Sequence, residues 1–160
     1  MTYRIVIQRA DHSILVPKVT LLRKWIKKVL SEKMPSAEIT LRIVEVEEMS
    51  ALNFTYRHKN GPTNVLSFPF EMPLGMPTDT IILGDIVICA DVVNQEAKAQ
   101  TKLPEAHWAH MIVHGIFHLL GYDHETEEEA QVMEDLEINM LQSLGFSNPY
   151  EIGESIKDHE

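Results

Sequence analysis

The chain has 160 residues, 44% of them apolar, enough for one compact domain with a single core. No apolar run reaches the roughly 18 residues of a membrane-spanning helix, and Met1 to Ala10 has no basic stretch followed by an apolar one, so neither a transmembrane segment nor a signal peptide is expected. The net charge of −10 argues against a general nucleic-acid binder, but residues 125–160 hold 11 acids and one base, so the whole excess lies in the C-terminal segment.

Residues 3–9 read as a short strand, with Ile5 and Ile7 on one face and Val6 on the other. Asp11 to Pro17 is a turn region. From Lys18, the residues Leu21, Leu22, Trp25, Ile26, Val29 and Leu30 form a double apolar stripe, which predicts an amphipathic helix ended by Pro35. Arg23, Lys24, Lys27, Lys28 and Lys33 cluster here, and a solvated helix face is their expected role. Glu38 to Val46 alternates Ile39, Leu41 and Ile43 with Thr40 and Arg42, a half-buried strand. Glu47 to Arg57 reads as a helix with Met49, Leu52, Asn53 and Tyr56 at helical spacing. His58 to Pro62 is a turn by composition, and Thr63 to Phe68 is a short β-rich run.

Pro69 to Thr80 carries three prolines and one glycine and predicts an irregular loop or a wide hairpin connection. Thr80 to Ile88 resumes as a strand, interrupted at Gly84 and Asp85. Cys89, the single cysteine, reads as a small buried hydrophobe at the strand end; it has no internal disulfide partner, which fits a cytoplasmic protein. Asp91 is expected to N-cap a helix running to about Gln100. Pro104 and Glu105 suit the first turn of the next helix, which ends near Leu120. Thr126 and Glu129 have capping-box spacing and open a last helix, apolar at Ala130, Met133, Leu136, Met140, Leu141 and Leu144 and stopped by Gly145. The polar stretch 147–160 is expected to be poorly ordered. With no repeats and no linker, the chain predicts one domain of α/β (α+β-like) class: a small mixed four-stranded sheet covered by about five helices.

Chemistry concentrates in His114-Gly-Ile-Phe-His118-Leu-Leu-Gly-Tyr-Asp-His124. His114 and His118 are four apart, so a helix puts both rings on one face. Gly121 can make a left-handed stop, after which the chain reverses and brings His124 back. Three neutral imidazoles with an open fourth position suit catalytic zinc, which acidifies water and polarises a phosphoryl or carbonyl oxygen. Hydrolysis is the expected class, although nickel, copper or another divalent ion suits the same donors. His110 and His114 are also four apart, which leaves a second ligand pairing open, but His107 and His110 point progressively away from the loop that returns His124. Asp123 reads equally as a residue that orients a ligand ring and as a turn residue. The zinc-protease signature His-Glu-x-x-His-x-x-Gly-x-x-His shares these positions, but Gly115 replaces its glutamate, the general base.

The same stretch resembles the signature of the YbeY family, bacterial metal-dependent endoribonucleases of ribosomal RNA maturation. Leu52-Asn-Phe-Thr-Tyr-Arg57, Thr63-Asn-Val-Leu-Ser-Phe-Pro69 and Leu83-Gly-Asp-Ile86 resemble three further family segments, in family order from about residue 50 to 145. Asn64 departs from the pattern, standing where aspartate is usual. The resemblance implies one domain over residues 1–160 and a zinc-type site on His114, His118 and His124. It implies single-strand-specific RNA cleavage in ribosomal RNA processing and ribosome quality control, in the cytoplasm. Arg57 is implied as the functional cation near the metal, and RNA with ribosomal or ribosome-associated proteins as partners; neither DNA nor a membrane is expected. Ser67 and Asp85 are weaker candidates for the cleft. A peptidase-like hydrolase and a non-catalytic assembly factor with a structural metal are the alternative functions.

Overall fold

The structure is a computed structural model that describes residues 2–13, 15–71, 73, 75 and 81–150. Its elements run β1 (Thr2–Ala10), α1 (Val19–Ser31), β2 (Ser36–Val44), α2 (Val46–Arg57), β3 (Val65–Pro69), β4 (Ile82–Cys89), α3 (Ala90–Ala99), α4 (Pro104–Leu119) and α5 (Glu127–Ser143). The four strands form one sheet in the order β1-β2-β4-β3, parallel except for the β3–β4 pair. This is the mixed four-stranded sheet with five helices expected from the sequence.

Alternation sets the two faces. Ile39, Leu41 and Ile43 of β2 and Ile86 and Ile88 of β4 join the main core with α1, α4 and α5. Val87 and Cys89 point the other way, into a smaller core with Met49 of α2 and Leu66 of β3. β4 is therefore buried on both faces, which explains its near-continuous apolar sequence. The expected stripe of α1 is buried at Leu22, Trp25, Ile26, Val29 and Leu30, with its lysines outside. α4 is the central helix: 11 of its 16 residues are buried, so it is enclosed on nearly every side. No helix among the described residues is long and apolar enough to cross a membrane.

Three expectations change. β4 is not broken at Gly84; the register against β2 slips between Glu38 and Ile39, leaving Leu83 as an extra residue. Gly84 has φ 136°, and a Cβ there would lie 2.2 Å from the Phe68 carbonyl oxygen, so the bulge requires glycine. Asp91 is not an N-cap: α3 starts at Ala90 with Cys89 in the cap position, and Asp91 sits in the first turn, facing the positive end of the dipole. Order also continues past Ser147, because Tyr150 is anchored by its hydroxyl to Glu137 at 2.6 Å. Residues 151–160 and the start of the expected strand at Thr80 lie outside the described residues.

Candidate metal centre

The helix stop works as the sequence predicts. The Gly121 N–H donates to the His118 carbonyl and the Tyr122 N–H to the Phe117 carbonyl, both at 3.0 Å, with Gly121 at φ 100°. Tyr122 then packs edge-on against Phe117, the apolar contact that accompanies this motif. The reversal returns His124 over His114 and His118, with ring centroids 5.8 and 5.1 Å away. The capping box of Thr126 and Glu129 starts α5 directly afterwards, with both reciprocal bonds formed.

One ligand atom from each of His114, His118 and His124 lies within 4.8 Å of the others. The Nε2 atoms of His114 and His118 face each other at 3.0 Å. Tetrahedral zinc with bonds of about 2.1 Å needs nitrogens roughly 3.4 Å apart, so small side-chain adjustments suffice. Burial, then the neighbouring rings of His114 and His124, pushes the His118 pKa down and favours the neutral form that can ligate. The donor set therefore fits a metal ion.

Glu137, on α5, completes the arrangement and was not singled out by the sequence reading. Only 1% exposed, it accepts from His114 Nδ1 at 2.6 Å, His110 Nε2 at 2.8 Å and the Tyr150 hydroxyl at 2.6 Å. Burial alone would raise its pKa, but the hydrogen bonds from His110 and His114 outweigh this and hold it down to about 2. A carboxylate on Nδ1 fixes the His114 tautomer, leaving Nε2 free with its lone pair toward the cluster. Its signal was present in the sequence: an acid on the buried face of α5, between Met133 and Met140.

The other candidates separate cleanly. His110 is committed to Glu137 and Tyr150, and His107 pairs with Glu96 at 2.9 Å, so neither joins the three. Asp123 accepts the backbone N–H of His124 at 2.7 Å, the turn role of its two expected readings. Arg57 ends α2, where His58 turns the chain at φ 57°, and it lines a cleft of about 520 Å³ with Ser67, His114, His118 and His124. Among the described residues no ion pair neutralises Arg57. The Ser67 hydroxyl donates to the Gly115 carbonyl at 3.1 Å and ties β3 to α4. Asp85 lines a separate hollow with Phe68 and Phe70 and is not in this cleft. Asn64 donates to Glu96, which His107 and then Asn64 hold below the usual carboxylate range against burial. A second hollow, of about 580 Å³ beside Leu15 and Trp108, contains none of the three histidines, so chemistry rather than size selects the site.

These features define a small α/β protein with a three-histidine cluster able to hold a metal ion. The chain belongs to the family described as Endoribonuclease YbeY, whose sequence model matches residues 6–145. A Methylococcus capsulatus protein named Endoribonuclease YbeY is 56% identical over 144 residues, covering 90% of this chain and 93% of that one. Its namesake from Nitrosococcus oceani is 49% identical over 151 residues, covering 94% of this chain and 99% of that one. The fold is similar to that of a Thermotoga maritima protein solved in solution, with TM-score 0.57 and 25% identity over 93% of this chain and 95% of that one.

Proposed function

We propose that this chain is a zinc-dependent endoribonuclease that cuts single-stranded RNA, with the metal held by His114, His118 and His124. The observation that carries the proposal is the convergence of three imidazoles in one cleft with Arg57, which no ion pair among the described residues neutralises. Bound there, zinc would supply Lewis-acid polarisation and acidify water. Glu137 holds His114 in the ligating tautomer. Arg57 offers a permanent, planar, bidentate charge to the phosphate and stabilises the charge that develops during cleavage. Asp123 and Glu125 also line the cleft. Arg57 alone does not outweigh two carboxylates, so an anionic substrate needs further positive charge, which a metal on the histidines provides.

RNA as substrate class follows the names of the relatives. Ribosomal RNA maturation and ribosome quality control in the cytoplasm are the settings we assign, with ribosomal or ribosome-associated proteins presenting the substrate. Such presentation accounts for the acidic α5, whose outer face then never meets RNA. The assembly-factor reading needs a closed four-ligand site, and among the described residues no fourth histidine, acid or thiol joins the cluster. Zinc-loaded protein should cut a single-stranded RNA and leave DNA of the same sequence intact, and chelation should abolish the cut. Equal cleavage of DNA would remove ribose from recognition and contradict the RNA assignment.

A further inference from the structure

We propose that Tyr56, backed by Phe68, forms a ledge on which an unpaired base of the RNA stacks as its phosphate meets Arg57. The ledge rests on the RNA-cutting reading of the same cleft and assigns the residues that let it prefer single strands.

Tyr56 immediately precedes Arg57 in the last turn of α2. Its spacing places it with Met49 and Asn53, which are 0% and 3% exposed, yet Tyr56 itself is 62% exposed. Among the described residues its ring contact is Phe68 of β3, edge-on at 5.1 Å between centroids. That contact steadies the Tyr56 ring while most of its surface stays in water. Arg57 and Pro69, the chain neighbours of these rings, line the histidine cleft, and Phe68 lines the hollow that shares Pro69 with it. β3 is an edge strand of the sheet, and Phe70 just beyond it is 41% exposed. Phe54 lies one helical turn before Arg57 and is 55% exposed. A large aromatic left in water gains nothing from core burial, and Tyr56 is such a ring directly beside Arg57 in the chain.

A nucleobase offers its π face to a protein only when it is unpaired, since a duplex hides it in the stack. A cation on the phosphate beside a ring on the base is the combination that single-strand sites use. A protein partner could cover the same rings, but substitution of Tyr56 would then leave RNA handling unchanged.

The test uses the zinc-loaded full chain and single-stranded oligoribonucleotides carrying 2-aminopurine near the cut. Tyr56→Ala is expected to raise KM by about 5- to 150-fold, the range for loss of one base stack, with kcat unchanged. The 2-aminopurine quenching seen with wild type should disappear. Tyr56→Phe should restore both, whereas Tyr56→Leu, apolar but not aromatic, should behave like Tyr56→Ala. Binding of a blunt RNA duplex should be the same in all four proteins. Wild-type KM and quenching in Tyr56→Ala, or equal behaviour of the Phe and Leu variants, would overturn the ledge alone. A wild type that neither binds nor cuts single-stranded RNA would overturn the ledge together with the reading it rests on.

Discussion

Glu137→Ala should destabilise the metal-free protein by about 3–5 kcal/mol and weaken zinc binding by about 10- to 100-fold. The side chain is almost wholly buried and is the common acceptor for His110, His114 and Tyr150. Truncation leaves three donors around a cavity, and each unmet buried donor carries a desolvation penalty. It also frees the His114 ring to rotate or change tautomer. Glu137→Gln separates the two effects. The amide keeps the volume and one acceptor oxygen, so most of the stability should remain. It cannot accept from His114 and His110 on separate oxygens, so the loss of zinc affinity should persist. Urea unfolding of the metal-free proteins and zinc competition against a chromophoric chelator measure the two quantities. Wild-type zinc affinity in both variants would show that His114 needs no orienting partner.

Gly115→Glu recreates the protease signature and is expected to cost about 3 kcal/mol or more without creating peptidase activity. Gly115 is buried where α4 crosses β4, and a Cβ there would lie 3.0–3.3 Å from three side-chain atoms of Ile86. A glutamate would push a carboxylate into the main core beside Ile86, which is 0% exposed. The peptidase reading thus fails by packing as well as by composition: the position that carries the protease's base faces the sheet here. A Gly115→Glu protein with the melting temperature of wild type would contradict this packing.

Local features of the fold were legible because their determinants lie within a few residues of each other. The stripe of α1, the capping box of α5 and the glycine stop after α4 each depend on short spacings, and all three form as expected. The three histidines converge for the same reason: one helical turn and one reversal bring them together. Features that depend on distant segments were not legible. Glu137 reaches His114 only because α5 packs on α4, although an acid on a buried helix face was a usable warning. Arg57 was expected near the metal only through the family resemblance, because no spacing encodes how the end of α2 comes to share a cleft with β3 and α4. Asp91 misled because it is a good cap residue two positions past the cap, and Gly84 because a bulge reads as a break. Tyr56 fell on an apolar stripe by period, but α2 covers only part of the sheet and ends at its edge.

Metal content and RNA cleavage measured together on wild type, His114→Ala and Arg57→Glu test most directly whether the histidines and Arg57 form one reactive centre. Wild type should hold about one zinc per chain, as three converging imidazoles predict, and cut RNA. His114→Ala should lose both. Arg57→Glu should keep the metal and lose cleavage by about 10²-fold or more, the effect of removing a group that stabilises developing charge. Metal present and cleavage equal in all three proteins would contradict the metalloendoribonuclease and leave the assembly-factor reading in its place.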